Sequence, residues 1–524
     1  MKNTSAGRED GADGAAPPRA LAERTVTAAQ WRLVSAVVQG GMQFGVGVLL
    51  ARLLPPAAFG LIALAMVVTG FASSVSDLGL GAAVIQRRDL TERHLQVSFT
   101  ASMAMGLALA AVLVMLSPLS APLLRDPAVP GVLRAESLVF VFGALGSTSR
   151  AMLRRELRFQ PLFWTGFLSY VVGYAAVATG MALLGYGVWS LVAGALVQAL
   201  VESLLCLAVS RHSLRPLLAR AELRELFGFG AGASFNNVIN YVARNADNLI
   251  VGRWLGEAAL GLYGRAYNLM TLPLNYLGVA THQVLFPAMA EIQDDLPRMG
   301  RAYLTSVQVT TLVTVPVMAG MAVAAPHMIV ALYGGVWAGM VLPLQVLCIA
   351  GIFRAIYHLA GSVTYAAGQV YAELRRQVGY AAFVVVGGLA GTHWGVSGVA
   401  IGVTLAIVYM YLTMARLVLR IVKLGWSDFL GAQLPGVALG GFVASAALLV
   451  RLGMERAGYG SGATFVAILA ACVAALPAGL YLLPRRMRPA AVYDRLGATI
   501  GRLPLPLQGA MTRILRLSST PVAP

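Results

Sequence analysis

Charge is what this sequence has least of. Only 12% of its 524 residues are charged, against about 25% in a soluble globular chain, while 58% are apolar. The mean hydropathy is +0.74. A soluble exterior of this size needs more charge than that. A soluble enzyme, a disordered chain and a secreted disulfide scaffold are therefore excluded. Cysteine is scarce too. Cys206, Cys348 and Cys472 each fall inside an apolar run and read as small buried hydrophobes, with no disulfide or metal framework. Acidic residues number 22 against 39 Lys and Arg, a net charge of +17. In a soluble chain that surplus would suggest nucleic acid. Here the basic residues sit in short loops between apolar runs, which is a topology signal, and no nucleic-acid partner is expected. Short alternating segments are missing as well, which excludes a transmembrane barrel.

What is present is an all-α polytopic membrane protein. Fourteen apolar runs reach the length of about 20 residues that crosses a bilayer. They cover 31–52, 58–80, 95–118, 130–151, 161–184, 187–209, 226–251, 258–288, 302–324, 338–366, 372–392, 396–418, 429–450 and 463–484. The division expected is a disordered tail at 1–29, six helices over 30–224, six over 225–424, two appended helices over 425–484 and a basic tail at 485–524. The polar tail lacks the apolar core of a signal peptide, so the first helix is retained. With both tails on one side, that side carries 29 Lys and Arg and the other 5. The asymmetry puts both termini in the cytoplasm. In the last tail Val492, Leu496 and Ile500 recur every four residues beside Arg495 and Arg502. That pattern fits a short helix on the anionic inner leaflet and equally a disordered basic tail.

The sequence contains an internal repeat. ARLLPPAAFGLIALA (51–65) and GRWLGEAALGLYGRA (252–266) match at 7 of 15 positions, including Arg52/Arg253 and Gly60/Gly261. A weaker echo pairs YGVWSLVAG (186–194) with WGVSGVAIG (394–402) at Gly187/Gly395 and Gly194/Gly402. The core thus reads as two six-helix bundles inserted with the same orientation, related by an axis along the membrane normal, with substrate handled between them.

Ionisable residues at membrane depth are costly and face a cavity or a partner. In helix 7, Asn237, Asn240, Arg244 and Asp247 share one face, followed by Asn248. In helix 8, Arg265, Asn268, Asn275 and His282 share one face, and in helix 10 Arg354 and His358 are one turn apart. Arg244 and Asp247 could neutralise each other, and the asparagines could join helices. Yet at the offset of the first repeat Arg244 aligns with Gln43, Asp247 with Val46, Arg265 with Leu64 and Asn268 with Val67. The first half manages without these charges, which favours a cavity lined by Arg244, Arg265 and Arg354 with Asn237, Asn240, Asn268 and Asn275. Asp247, Glu202 and His358 are the candidates for ion coupling. Asp77 reads as a partner for nearby loop groups. Guanidinium matches phosphate oxygens bidentately and stays charged at any working pH, and amides hydrogen-bond sugar hydroxyls. A phosphorylated, polyhydroxylated substrate is expected.

At DLGLGAAVIQRRDLTERHL (77–95) and RNADNLIVGRWLGEAALGLYGRAYNL (244–269) the chain resembles the bacterial polysaccharide flippases, the Wzx-like branch of the superfamily that also holds the multidrug and toxin extruders and the lipid II flippases. GYGVWSLVAGALV (185–197) and ALYGGVWAGMVLPLQVL (331–347) extend the resemblance, which runs over about 31–420. It implies a V-shaped, MATE-like pair of six-helix bundles in the bacterial inner membrane. It also implies a transporter, not an enzyme, that moves undecaprenyl-pyrophosphate-linked oligosaccharide to the outer leaflet. The expected partners are that lipid-linked oligosaccharide, membrane lipids and a polysaccharide polymerase or export machinery. No cofactor is implied; a coupling H⁺ or Na⁺ stays open as an addition to the membrane potential. The alternative is a cation-coupled multidrug exporter, which would carry acidic cavity residues. A membrane glycosyltransferase would need acid–base groups on larger outer loops, and the longest here covers about 13 residues, 325–337.

Overall fold

The computed structural model describes residues 38–76, 80–87, 89–210, 212–219 and 245–484, with Glu222 and Tyr241 besides. Asn237, Asn240, Arg244, Asp77, the His282 side chain and both expected tails lie outside the described residues. The described chain is helical. The helices are α1 (38–53), α2 (Pro56–Ser76), α3 (Glu92–Leu124), α4 (Val129–Arg155), α5 (Phe159–Leu183), α6 (Val188–Val209) and α7 (245–255). They continue with α8 (Glu257–Glu291), α9 (Leu296–Tyr333), α10 (Val341–Ala366), α11 (Val370–Gly391), α12 (Gly395–Val422), α13 (Trp426–Arg456) and α14 (Ser461–Leu482). A short helix, Leu80–Gln86, follows α2. Among the described residues nine helical stretches are long and apolar enough to cross a membrane.

The connections show why each helix stops. Gly256 (φ 87°) separates α7 from α8, and Gly334 (φ 95°) ends α9. The predicted outer loop at 325–337 is mostly helix, because α9 runs on through Pro326 to Tyr333. Internal proline is tolerated where neighbouring helices absorb the freed carbonyl. The weak echo in the sequence has a backbone counterpart. Gly187 (φ 55°, ψ −129°) precedes α6, and Gly395 (φ 67°, ψ −154°) opens α12 in a similar conformation.

Loops that an up-and-down path brings to one end do meet. At the arginine-rich end the Arg155 guanidinium donates to the carbonyl of Val84 at 2.7 Å, and Gln96 donates to Ser213 at 3.0 Å. At the opposite end Arg52 donates through Nε to Leu332 O at 2.7 Å, and Arg253 donates through Nη1 to Pro122 O at 3.2 Å. His327 and Glu455 meet there at 2.7 Å.

The halves join most closely where α2 crosses α8. A Cβ on Gly60 would stand 1.7 Å from the carbonyl oxygen of Glu257, and one on Gly261 would stand 1.9 Å from that of Pro56. Gly60 and Gly261 are equivalent positions of the repeat, and so are Pro56 and Glu257, so each half presents the same two positions to the other. Small residues let membrane helices approach this closely, and packing then supplies the association. Trp337, buried in the turn between α9 and α10, completes the junction. Its Nε1 donates to Ala51 O at 2.8 Å, and its ring meets Phe59 edge-on at 5.4 Å.

A candidate substrate cavity between the halves

Beneath that crossing lies a cavity of about 460 Å³ bounded by α1, α2, α5, α6 and α8. From the second half it receives Arg265 and Asn268, one helical turn apart on α8. From the first it receives Gln43, Phe59, Tyr170, Tyr174 and Gln198. The Arg265 guanidinium lies over the Phe59 ring, 4.1 Å from its centroid. A Cβ on Gly47 would come within 3.3 Å of its Nη1, so the glycine leaves the cation room. Tyr170 and Tyr174 stack at 5.0 Å and 18°. Val171–Ala178 is wound as a π-helix. Tyr170, just before that segment, and Tyr174 are four apart, the spacing at which helix side chains are neighbours.

Among the described residues Arg265 makes no ion pair. A guanidinium without a counter-ion, ringed by two glutamines, an asparagine and two phenols, suits an anion that also carries hydroxyls. The cation–π contact holds the planar group without consuming its N–H donors.

Arg354 sits elsewhere. Its Nη1 donates to the Tyr267 hydroxyl and its guanidinium lies 5.4 Å from that ring. Asp247, 4% exposed, accepts from the Tyr263 hydroxyl at 2.7 Å and from the Asn248 N–H at 2.9 Å. Arg354 and Tyr380 lie within electrostatic reach of Asp247. This is a closed polar cluster inside the second half, and Arg354 is not among the residues lining the interlobe cavity. Helical spacing sets Arg354 and His358 one turn apart, but it does not say which neighbour that face meets.

The other predicted residues are placed as follows. Asn275 is exposed two turns along α8 from Asn268, outside the cavity lining. His358 is exposed and stacks on Tyr357 at 4.5 Å. Glu202 stands 3.7 Å from Arg150. Among the described residues no group of three His, Cys, Asp or Glu could hold a metal.

The sequence reading passed over Tyr170, Tyr174, Gln198 and Phe59, which carry no charge to mark them. It also passed over Glu136 of α4. Glu136 is 4% exposed, and its Oε1 has no hydrogen-bond partner among the described residues. The available signal was a carboxylate inside an apolar span whose nearest cation, Arg134, is two residues away and so faces elsewhere. Arg134 bonds Ser117 of α3 at 2.9 Å.

Residues 49–342, more than half of the chain, match the family described as polysaccharide biosynthesis protein. The chain belongs to that family. The matched span holds Arg52, Arg253, Arg265 and the α2–α8 crossing, and stops before Arg354. The lipopolysaccharide biosynthesis protein WzxC of Escherichia coli (strain K12) is 27% identical over 401 residues, 74% of this chain and 78% of that protein. The succinoglycan biosynthesis transport protein ExoT of Rhizobium meliloti (strain 1021) is 30% identical over 309 residues, 59% of this chain and 62% of that protein. Among solved structures, the lipid II flippase MurJ in its inward closed conformation superposes with a TM-score of 0.67. It is 13% identical and covers 87% of this chain and 98% of its own. The likeness establishes a shared fold for this family member.

Proposed function

We propose that this chain is a flippase. It carries polyprenyl-pyrophosphate-linked oligosaccharide units from the inner to the outer leaflet of a bacterial cytoplasmic membrane, for exopolysaccharide, capsule or O-antigen synthesis. The observation that carries the reading is Arg265, a cation with no counter-ion among the described residues, in a cavity between two halves, in a chain of the polysaccharide biosynthesis family. The pyrophosphate docks on Arg265, and the amides and phenols around it hold sugar hydroxyls. The polyprenyl tail stays in lipid. Two negative charges moving outward across an inside-negative membrane gain about 4–5 kcal/mol per 100 mV, so the potential alone biases the direction.

On this reading the chain crosses fourteen times with both termini cytoplasmic, as the distribution of basic loops requires. Two six-helix bundles rock about the α2–α8 crossing, and α13 and α14 form an added pair that a polysaccharide polymerase or export partner would meet. Arg244, Asn237 and Asn240, which lie outside the described residues, are further candidates from the sequence for contact with the pyrophosphate and the sugars.

The test is leaflet exchange in proteoliposomes, with a fluorescent polyprenyl-pyrophosphate oligosaccharide as substrate and a cationic dye in parallel. Exchange of the lipid with no dye movement supports the flippase. Dye efflux without lipid exchange assigns the chain to the drug-extruder branch.

A further inference from the structure

A second cavity, of about 600 Å³, lies wholly within the first half, between α2, α3, α4 and the short helix Leu80–Gln86. Its wall on α4 runs from Arg154 and Arg150 at the arginine-rich end, past Ser147 and Gly143, to Glu136. Glu136 and Arg150 are 14 residues apart, about 21 Å of helix. The cavity is therefore a long track with cations at one end and a carboxyl at the other, walled between them partly by Met105, Leu109, Val139 and Phe140.

Among the described residues Oε1 of that carboxyl has no hydrogen-bond partner, and the carboxyl makes no ion pair. Among the described residues, the charged or titratable groups facing the track or Glu136 are few. On α4 they are Arg150 and Arg154, four to five turns away. On α6 there is Glu202, already beside Arg150. On α5 there is Tyr174, which lies within electrostatic reach of both Glu136 and Arg265. From α2, α3 and the short helix the lining residues, Thr69, Ser102 and Ile85 among them, are uncharged. An ionised carboxylate buried without a partner is strongly disfavoured, and such a group takes up a proton instead. The track reaches Glu136 from one end of the half, and Tyr174, which lines the interlobe cavity, lies within electrostatic reach of it.

We propose that Glu136 is a proton-binding site, loaded and emptied through the first-half cavity, and that its charge is felt at Arg265 through Tyr174. When Glu136 is neutral, Arg265 is the dominant charge near Tyr174 and holds the anion. When Glu136 ionises, its negative charge opposes an anion on Arg265 and favours release. Proton binding at Glu136 stands on the cavity and the unpartnered carboxyl alone. The coupling to anion release rests on the flippase reading.

The site is tested first without substrate. Infrared difference spectra of the protein in lipid, stepped between about pH 5 and pH 9, should include a titrating protonated-carboxyl band that belongs to Glu136. Glu136→Gln should remove it and Glu136→Asp should keep it at a shifted position. A wild-type spectrum without such a band, or a band unchanged in Glu136→Gln, overturns the proposal. Coupling is tested by lipid exchange with and without a pH gradient. Wild type should respond to the gradient, whereas Glu136→Gln should exchange at one rate whatever the gradient. A Glu136→Gln protein that still follows the gradient overturns the coupling. If the wild type exchanges no lipid while the band titrates, the flippase reading fails and the proton site stands.

Discussion

Arg52 and Arg253, equivalent positions of the two repeats, each reach across to the other half and cap the C-terminal end of a helix there. Arg52 donates to the carbonyls of Ala331 and Leu332 at the end of α9, and Arg253 to those of Pro122 and Leu123 at the end of α3. The last carbonyls of a helix have no intrahelical donors and carry its negative dipole. A guanidinium there satisfies both needs. The exchange is reciprocal, as a twofold relation between the repeats produces. With Trp337 on Ala51, these contacts close the end opposite the arginine-rich loops.

Removing both caps should open that end. In Arg52→Ala/Arg253→Ala, a cysteine placed at Ala63, which lines the interlobe cavity, should react faster with a membrane-impermeant maleimide added outside. About tenfold is the expected scale, since each charged hydrogen bond contributes roughly 1.5–3 kcal/mol and the junction keeps other contacts. Unchanged labelling would show that the caps do not hold the closed form.

The α2–α8 crossing should tolerate no side chain. Gly60→Ala and Gly261→Ala each force backbone apart at the other repeat's carbonyl, and overpacking of this kind costs about 1–3 kcal/mol. Both should lower the melting temperature. Gly45→Ala and Gly441→Ala meet nothing within 4 Å and serve as controls, expected to be neutral or slightly stabilising through helix propensity. Equal effects at all four would remove the special role of the crossing.

Arg354 should behave as a structural cation. Arg354→Ala strips Asp247 of the positive charge that acts on it among the described residues, and an uncompensated buried carboxylate costs about 3–5 kcal/mol. The single variant should unfold at lower temperature, and Asp247→Asn added to it should restore much of the loss. Thermal unfolding in detergent reads this directly. A stable single variant that has lost transport would instead put Arg354 at the substrate.

The closed end should weaken as pH rises. Burial first, then the neighbouring Asp126 carboxyl, hold the Glu257 carboxyl above the usual carboxylate range. A carboxyl raised in the closed form binds its proton more tightly there than when the halves separate. It therefore stabilises closure at low pH, and that contribution fades as pH climbs through the raised value. Labelling of the Ala63→Cys protein should accelerate over that window, and Glu257→Gln should flatten the response. An identical pH profile in the glutamine variant would place the sensor elsewhere.

Much of this was legible in the sequence because the membrane simplifies the reading. Long apolar runs yield helices, since lipid leaves the backbone no other partner. The repeat was visible at Arg52/Arg253 and Gly60/Gly261 because close packing and helix capping demand those residue types on both sides. Arg265 and Asn268 stood out because charge and amide are costly at membrane depth. The remainder depended on which faces meet. The turn of α10 that carries Arg354 faces Tyr267 and the Asp247 cluster, a matter of helix rotation that spacing does not encode. Tyr170 and Tyr174 are neighbours by helical spacing, but that their face lines the interlobe cavity is again a matter of helix rotation. Glu136 stands out in the sequence as a carboxylate inside an apolar span, but the uncharged lining opposite it on α2 and α3 shows only in the fold.

The central claim is that Arg265 is the anion site, and one measurement addresses it most directly. Lipid exchange of the polyprenyl-pyrophosphate oligosaccharide would be compared among wild type, Arg265→Lys and Arg265→Ala, each matched for thermal stability. Loss of a charged, bidentate contact worth about 1.5–3 kcal/mol predicts a fall of roughly 10- to 100-fold in Arg265→Ala. Lysine keeps the charge without the fork and should fall between. Exchange in Arg265→Ala at the wild-type rate would contradict the account.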